Sequence, residues 1–495
     1  MTQDSHDVTR DRSNSRRDFL KRGGLGVALL GVGSAAGAAP SMTSRMTPTA
    51  AVDVVVVGAG FSGLSAARQL ARVGKSVAVL EASDRVGGRT KSGQIAGQTV
   101  DLGGMWVAST QERILALGEE YGVKRYRTPI AGRNISDLNG AIRKGQRDLP
   151  AIDAAGVAEL MRAAARLDEI AATVPLETPW TAPNAQALDH IALGAWVDET
   201  TNHAQARLLL NTLVAALSGG DGASLSLLFF ASYIRSCGSF ASVTSIDDGA
   251  LQWLFHGGVH QIAGKMAAEL GDRVVLNAPV SQIHQDGNGV EVTSSAGVWK
   301  AKQVIVAVPP TLCARIRFTP ALPAARDALT QRFPMGSAIK FWVAYDRPFW
   351  RERGLNGYAF SDQSPVKLSL DATPEGAKVG LLTGFIEGAA AVEWGPKGAA
   401  ARRALVLTEL GHLYGPEGGQ PIDYVDNDWC SEEWARGGSV GVPTPGTLSL
   451  FGSALRARVG RIHWAGAETS PRWTGHIDGA IRAGERAARD AFSSL

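Results

Sequence analysis

The chain has 495 residues, enough to bury a large core, and a formal net charge of only +3. No basic patch is interleaved with aromatics, which argues against a nucleic-acid partner. Its three cysteines, Cys237, Cys313 and Cys430, stand far apart, with no CxxC pair and no histidine at ligand spacing. That pattern argues against both a disulfide framework and a metal site.

In chain order, Ser15-Arg16-Arg17-Asp18-Phe19-Leu20-Lys21 has the form of a twin-arginine export signal. A mildly apolar, Gly/Ala-rich run from Gly23 to Ala39 comes next, and Ala36-Gly37-Ala38 offers a small-residue cleavage site. The run is too short and too glycine-rich for a stable membrane span. Residues 1–50 therefore read as signal and linker of a bacterial protein exported in folded form. The expected destination is the periplasm or the medium, with the twin-arginine machinery as a partner.

Val52 to Thr90 is the segment around which the remaining chain is organised. The apolar run Val54 to Val57 has the mark of a strand buried on both faces of a parallel sheet. It ends in Gly58-Ala59-Gly60-Phe61-Ser62-Gly63. An amphipathic helix comes after it, and a second strand, Ser76 to Leu80, ends in Glu81. This is a βαβ unit with the dinucleotide fingerprint in its proper context. Gly58 allows the tight turn, Gly60 admits a diphosphate against the backbone, and Gly63 lets helix and strand pack closely. The diphosphate sits at the helix N-terminus, where free N–H groups and the dipole favour negative charge. Glu81 is placed to bind a ribose diol.

Further along come a second Gly-rich turn, Arg85 to Thr90, and then Val100 to Val107, a short strand leading into a loop. A helix is expected over Gln111 to Tyr121. Residues 154 to 216 read as helical, interrupted at Pro175 to Pro183, and Leu225 to Tyr233 carries Phe229, Phe230 and Tyr233 at helical spacing. From 258 to 310 the pattern returns to α/β: a helix over Val259 to Leu270, a strand Val274 to Leu276, a hairpin turn at Asp286 to Gly289, and a buried strand Gln303 to Val308. Between Pro320 and Trp429 helices alternate with strands, including Ala338 to Ala344 and Val379 to Ile386. A last strand, Arg461 to Trp464, leads through a glycine-rich loop to a final helix from Gly475. The chain thus leaves a nucleotide domain and returns to it, which places a substrate cavity between two parts.

Six motifs in this order resemble the flavin-dependent amine oxidase family, the group containing monoamine and polyamine oxidases. They are the fingerprint with Glu81, Gly87-Gly88-Arg89-Thr90, Asp101-Leu102-Gly103-Gly104, Pro309-Pro310, Gly336 to Lys340, and Gly460 to Thr469. The resemblance covers nearly all of residues 51–495. It implies an α/β fold: a Rossmann-type FAD-binding domain built from discontinuous segments (51–130, 258–315 and 436–495), with an interleaved α+β substrate-binding domain (131–257 and 316–435).

By that resemblance the cofactor is FAD, with its diphosphate on Gly58, Gly60 and Gly63 and its ribose on Glu81. Arg89 reaches the diphosphate, a Val280 backbone group the adenine, and Glu468 with the last helix the ribityl–phosphate arm. The expected cofactor set also includes Phe61, Ser62, Ala82, Gly88, Gly103, Gly104, Met105, Trp106, Gly466 and Ile477. Lys340 matches the family's lysine that holds a water near flavin N5. Taken alone it is unusual, because a lysine opening an apolar strand is rarely buried unpaired. Phe229 and Tyr233 are expected in the substrate pocket. The implied reaction is oxidation of an amine beside nitrogen, with hydride transfer to the flavin and hydrolysis of the imine. Oxygen or a periplasmic redox protein would reoxidise the flavin, and the reading leaves a homodimer open.

Two departures from the family pattern matter. Many members attach flavin through a cysteine in a Gly-Gly-Cys-Tyr segment. Here Arg436-Gly437-Gly438-Ser439-Val440-Gly441-Val442-Pro443 has none, so FAD is expected to be non-covalent, with Ser439 or Val440 in the tyrosine's place. The second aromatic wall is also altered: Trp473-Thr474-Gly475-His476 stands where Trp-x-Gly-Tyr is usual, which makes His476 the expected flavin-facing residue. A secondary, cyclic or bulkier amine is then favoured. Alternatives are an amino-acid oxidase with Arg235 or Arg472 clamping the carboxylate, a carbon–carbon desaturase, or a flavin-binding protein without catalysis.

Overall fold

Val54 to Val57 is buried on both faces and forms the middle of an eight-stranded sheet among the described residues. In this computed structural model the structure describes residues 51–147 and 151–495; the twin-arginine segment and the apolar run after it lie outside them. The strand Val52–Val57 pairs in parallel with Val77–Leu80 on one side and with Gly297–Val306 on the other. The parallel strand Ile462–Trp464 adds to Gly297–Val306. Three distant stretches of chain therefore build one sheet. The hairpin at Asp286 to Gly289 joins Val280–Gln285 to Val290–Ser294.

The helix Phe61–Arg72 packs against this sheet and against the final helix, Ile477–Phe492. Two glycines set those distances. A Cβ on Gly63 would stand 1.9 Å from the Gly58 carbonyl oxygen, and one on Gly484 would stand 2.0 Å from the Ser62 carbonyl oxygen. Close helix–strand and helix–helix approach is what these positions supply. The last helix begins at Ile477 rather than at Gly475: Gly475 takes a left-handed φ of +78° in the turn that precedes it.

The second sheet has seven strands, in the order Asp423–Asp428, Ala338–Tyr345, Gly380–Glu387, Val366–Asp371, Leu355–Ser361, Arg133–Leu138 and Ala141–Lys144. The region from 320 to 429 supplies five strands of this sheet, interspersed with helices such as Ala324–Gln331 and Gly398–Tyr414, and the hairpin 133–144 belongs to the same sheet. Alternation along Ala338–Tyr345 decides where its side chains go. Ile339, Phe341, Val343 and Tyr345 enter one apolar cluster, while Trp342 and Ala344 enter another with Val100, Leu102 and Met105. Lys340 shares the second face. A helical layer, including Ala204–Ser218 and Leu227–Cys237, covers a further core. No helix among the described residues is long and apolar enough to cross a membrane.

Candidate active site

A single elongated cavity gathers most of the expected site residues. At one end lie Gly58, Gly60, Phe61, Ser62, Glu81 and Ala82, with Val280 beside them. Gly88, Arg89, Gly103, Gly104, Met105 and Trp106 continue the wall. Gly466, Ile477 and His476 come from the C-terminal segment, and Lys340, Tyr233, Ser439 and Val440 complete the expected set. Three expected residues sit behind the lining: Gly63 packs on Gly58, Phe229 packs among Tyr233 and Phe333, and Glu468 is turned toward Arg89.

The nucleotide end has the features a diphosphate requires. The helix from Phe61 has neither a side-chain cap nor an acid in its first turn, so its N–H groups are left for an anion. Gly60 and Gly88 face each other across the cleft, with a Cβ on Gly60 only 3.8 Å from the Gly88 Cα. Side chains there would fill the cradle. Glu81 is held by the amides of Ala59 (2.6 Å) and Ser83 (2.9 Å), which fixes its carboxylate at the strand end.

Arg89 and Glu468 meet across 379 residues of sequence. Nη1 donates to Oε1 at 2.6 Å and Nη2 to Oε2 at 3.0 Å, a bidentate fork. Arg89 also donates to the Ser439 carbonyl (3.0 Å), and the Gly441 amide donates to Glu468 Oε1 (3.0 Å). The pair therefore ties the second glycine turn to both C-terminal loops. Burial alone would raise the Glu468 carboxyl, but Arg89 and the Gly441 amide outweigh it and hold it below its ordinary range.

Lys340 is buried, and Nζ donates to the Gly103 carbonyl (2.7 Å) and the Met105 sulfur (2.6 Å). The rings of Trp106, Trp342 and Phe385 lie 5.2–5.5 Å away, near enough for cation–π stabilisation of a charged form. Desolvation nevertheless lowers the ammonium to about 7, with Asp101 opposing the shift. Asp101 is the nearby buried charge missed at the level of sequence. Burial raises it to about 6, against the pull of Lys340 and the amides of Val259 and His260. Its position at the end of a short strand, before Leu102-Gly103-Gly104, was visible; its electrostatic influence on a lysine 239 places on was not.

Tyr233 and His476 stack with ring centroids 5.7 Å apart and planes 23° from parallel, and Trp473 meets His476 edge-on at 4.9 Å. The helix Leu227–Cys237 sets this arrangement: Ser236 accepts from the Trp473 amide (2.9 Å) through its carbonyl and from the Thr474 amide (3.2 Å) through its hydroxyl. Nδ1 of His476 faces the Thr474 carbonyl at 3.0 Å. A carbonyl only accepts, so the neutral ring carries its proton on Nδ1 and leaves Nε2 as an acceptor. Burial favours that neutral form by lowering the imidazole. Val440 packs against the Gly475 position, where an added Cβ would stand 2.5 Å from Val440 Cγ2. Ser439 is exposed. Arg235 and Arg472 are also exposed, and neither lines the cavity.

A glycine cradle at an uncapped helix, joined to a lysine and a histidine in one cavity, defines a flavin-dependent oxidoreductase. The model of flavin-containing amine oxidoreductases matches residues 61–491, and the chain belongs to that family. It is 39% identical over 448 residues to a Mycobacterium tuberculosis protein named as flavin-containing monoamine oxidase AofH, covering 90% of this chain and 98% of the relative. It is 38% identical over 462 residues to the L-amino acid dehydrogenase of a Synechocystis strain, covering 91% and 97%. Its structure superposes on cyclohexylamine oxidase from Brevibacterium oxydans with a TM-score of 0.86 at 34% identity, over 90% of this chain and 99% of that one. The protein is accordingly an oxidoreductase acting on amines, with FAD as its cofactor. No cysteine among the described residues lines the cavity, in keeping with non-covalent binding.

Proposed function

We propose that the enzyme oxidises the carbon–nitrogen bond of a secondary, cyclic or bulky amine to an imine, which water then hydrolyses. The observation that carries this reading is the make-up of the cavity around Lys340. One wall offers a neutral His476 stacked on Tyr233, and the position opposite, at Ser439 and Val440, has no aromatic ring. Leu213, Leu217, Leu368 and Phe385 add an apolar lining. Such surroundings disfavour an ammonium and favour the free amine, the form able to release a hydride. His476 Nε2 accepts from the amine N–H, and Lys340 Nζ holds a water or takes up a proton. The bound flavin supplies the sink for the hydride equivalent.

Phenylalanine at 476 keeps the ring but removes the acceptor. His476→Phe is therefore expected to lower kcat/KM for N–H-bearing cyclic amines by about ten-fold, the scale of one lost hydrogen bond. Small arylalkyl amines should lose less. Equal turnover of both classes before and after the change would refute the role given to His476.

Export by the twin-arginine route to the periplasm or medium, with oxygen or a redox protein as acceptor, is part of the same proposal. A homodimer is compatible with it. A panel of amines, read by peroxide release with cytochrome reduction in parallel, tests substrate and acceptor together. Similarity to an L-amino acid dehydrogenase supports a second reading, oxidation of an amino acid. The exposed positions of Arg235 and Arg472 weigh against their clamping a substrate carboxylate in this cavity.

A further inference from the structure

We propose that Trp342 and Trp429 are positioning residues for amine oxidation. Their indole N–H groups fix the turn Asp101-Leu102-Gly103, whose last carbonyl holds Lys340 Nζ at the cavity wall. This rests on Lys340 acting on the amine beside the flavin.

Three successive carbonyls of the turn each accept from a side chain of the second sheet or its margin. Trp342 Nε1 donates to Asp101 (2.8 Å), Trp429 Nε1 to Leu102 (2.8 Å) and Lys340 Nζ to Gly103 (2.7 Å). Lys340 and Trp342 stand two apart on the strand Ala338–Tyr345, so alternation turns both toward this loop. Trp429 directly follows the strand Asp423–Asp428, and its own amide donates to the Ala338 carbonyl (3.1 Å). Its backbone thus braces the lysine's strand while its ring braces the turn.

The amides of the turn are taken up on the other side. Leu102 donates to the Lys91 carbonyl (2.7 Å) and Gly104 to the Arg89 carbonyl (3.1 Å), beside the second glycine turn. Residue 103 must be small for this approach. A Cβ there would stand 2.2 Å from the Arg89 carbonyl oxygen and 2.7 Å from Trp429 Cζ2. The turn is therefore suspended between the cofactor cradle and the strand that carries the lysine. Lys340, Trp342 and Trp429 are all buried, where a lost hydrogen bond costs most.

The position of the Gly103 carbonyl decides what Lys340 offers to the cavity. As a free amine, Nζ has two N–H bonds and one lone pair. The Gly103 carbonyl and the Met105 sulfur take the two N–H bonds, which leaves the lone pair for the cavity that Lys340 lines. There it accepts from a water or takes up a proton. A displaced turn swings the lone pair away and removes an acceptor from the ammonium, which burial already disfavours. Asp101 is the acid acting on that ammonium. Its carboxylate is held separately, by the amides of Val259 (2.9 Å) and His260 (3.4 Å), so substituting either indole leaves it in place.

The test uses the purified holoenzyme, with flavin reduction by a cyclic amine followed in stopped flow across pH. Trp342→Phe and Trp429→Phe each keep a ring and delete one N–H. On the plateau above the lysine's limb, each variant is expected to reduce flavin about ten-fold more slowly, the scale of one lost hydrogen bond. The amine concentration giving half-maximal rate should stay unchanged. The limb itself, at about pH 7 in the wild type, should move to lower pH, because the ammonium has lost part of its stabilisation. In a Lys340→Met background neither substitution should slow reduction further, since a residue acting through the lysine has nothing left to act on. A merely structural role would leave the limb where it is and multiply with the Lys340→Met loss. Either of those results overturns the proposal, as does an unchanged plateau in both variants. An unimpaired Lys340→Met enzyme overturns instead the role of Lys340 on which it rests. If Trp429→Phe, whose ring lines the cavity, purifies without flavin, Trp342→Phe decides.

Discussion

Lys340→Met is expected to slow amine-driven flavin reduction by about 100-fold, the lower end of what a positioned proton-transfer group supplies. Methionine matches the length of the lysine stem and fits among Trp106, Trp342 and Phe385, so the cavity wall is retained. The charge chemistry is not retained. Without the neighbouring cation, Asp101 loses the interaction that opposes its burial and stays protonated to higher pH. The fold should survive, because burial already raises Asp101 and lets it take a proton rather than stay as an isolated buried charge. In the wild type the lysine, lowered to about 7, becomes neutral as pH rises through that value. The rate of flavin reduction should therefore climb through about pH 7 in the wild type, and that limb should vanish in Lys340→Met. Stopped-flow bleaching at a series of pH values checks both points. An unchanged rate and limb would remove Lys340 from the chemistry.

Arg89→Ala should destabilise the protein by about 3–5 kcal/mol, the usual consequence of leaving a buried charge without its partner. The side chain of Glu468 is 1% exposed, and Arg89 supplies both prongs of its fork. Loss of the pair also frees the Ser439 and Gly441 loops from the second glycine turn, so the purified variant should carry little FAD. The pH dependence comes from the depressed carboxyl of Glu468. Its contribution to stability is present above the ordinary glutamate value of 4.5 and is lost as pH falls through the lower folded value. Glu468→Gln should therefore show a shallower loss of stability on acidification than the wild type. Denaturant midpoints and flavin-to-protein absorbance ratios measure these effects. Arg89→Ala protein with full flavin and an unshifted midpoint would contradict them.

Particular residues show how far the sequence could be read. Val54 to Val57 was legible as a buried parallel strand because no polar residue interrupts it, and the fingerprint glycines carry their reasons locally. The strand Ala338–Tyr345 was also legible, although Lys340 within it reads as an anomaly until its partner is known. The strands Leu355–Ser361 and Val366–Asp371 were harder: both are largely buried, so the two-residue period that marks a strand is blurred. The hairpin at 133–144 lies between the helix expected at 111–121 and the helical stretch from 154, in a segment to which the sequence reading assigned no element. Arg89 with Glu468, and Lys340 with the Gly103 carbonyl and Met105, are contacts made by the fold between remote segments, and no local pattern announces them. His476 was found by contrast with a family pattern; its stacking on Tyr233 needed the structure.

The central claim, that this cavity oxidises amines on a bound flavin, is tested most directly by anaerobic titration of the FAD-loaded protein. Addition of cyclic or secondary amines should bleach the visible flavin absorbance to completion, and subsequent admission of oxygen or an electron acceptor should restore it. A flavin that stays oxidised with every amine, and is bleached only by amino acids or not at all, would contradict the account.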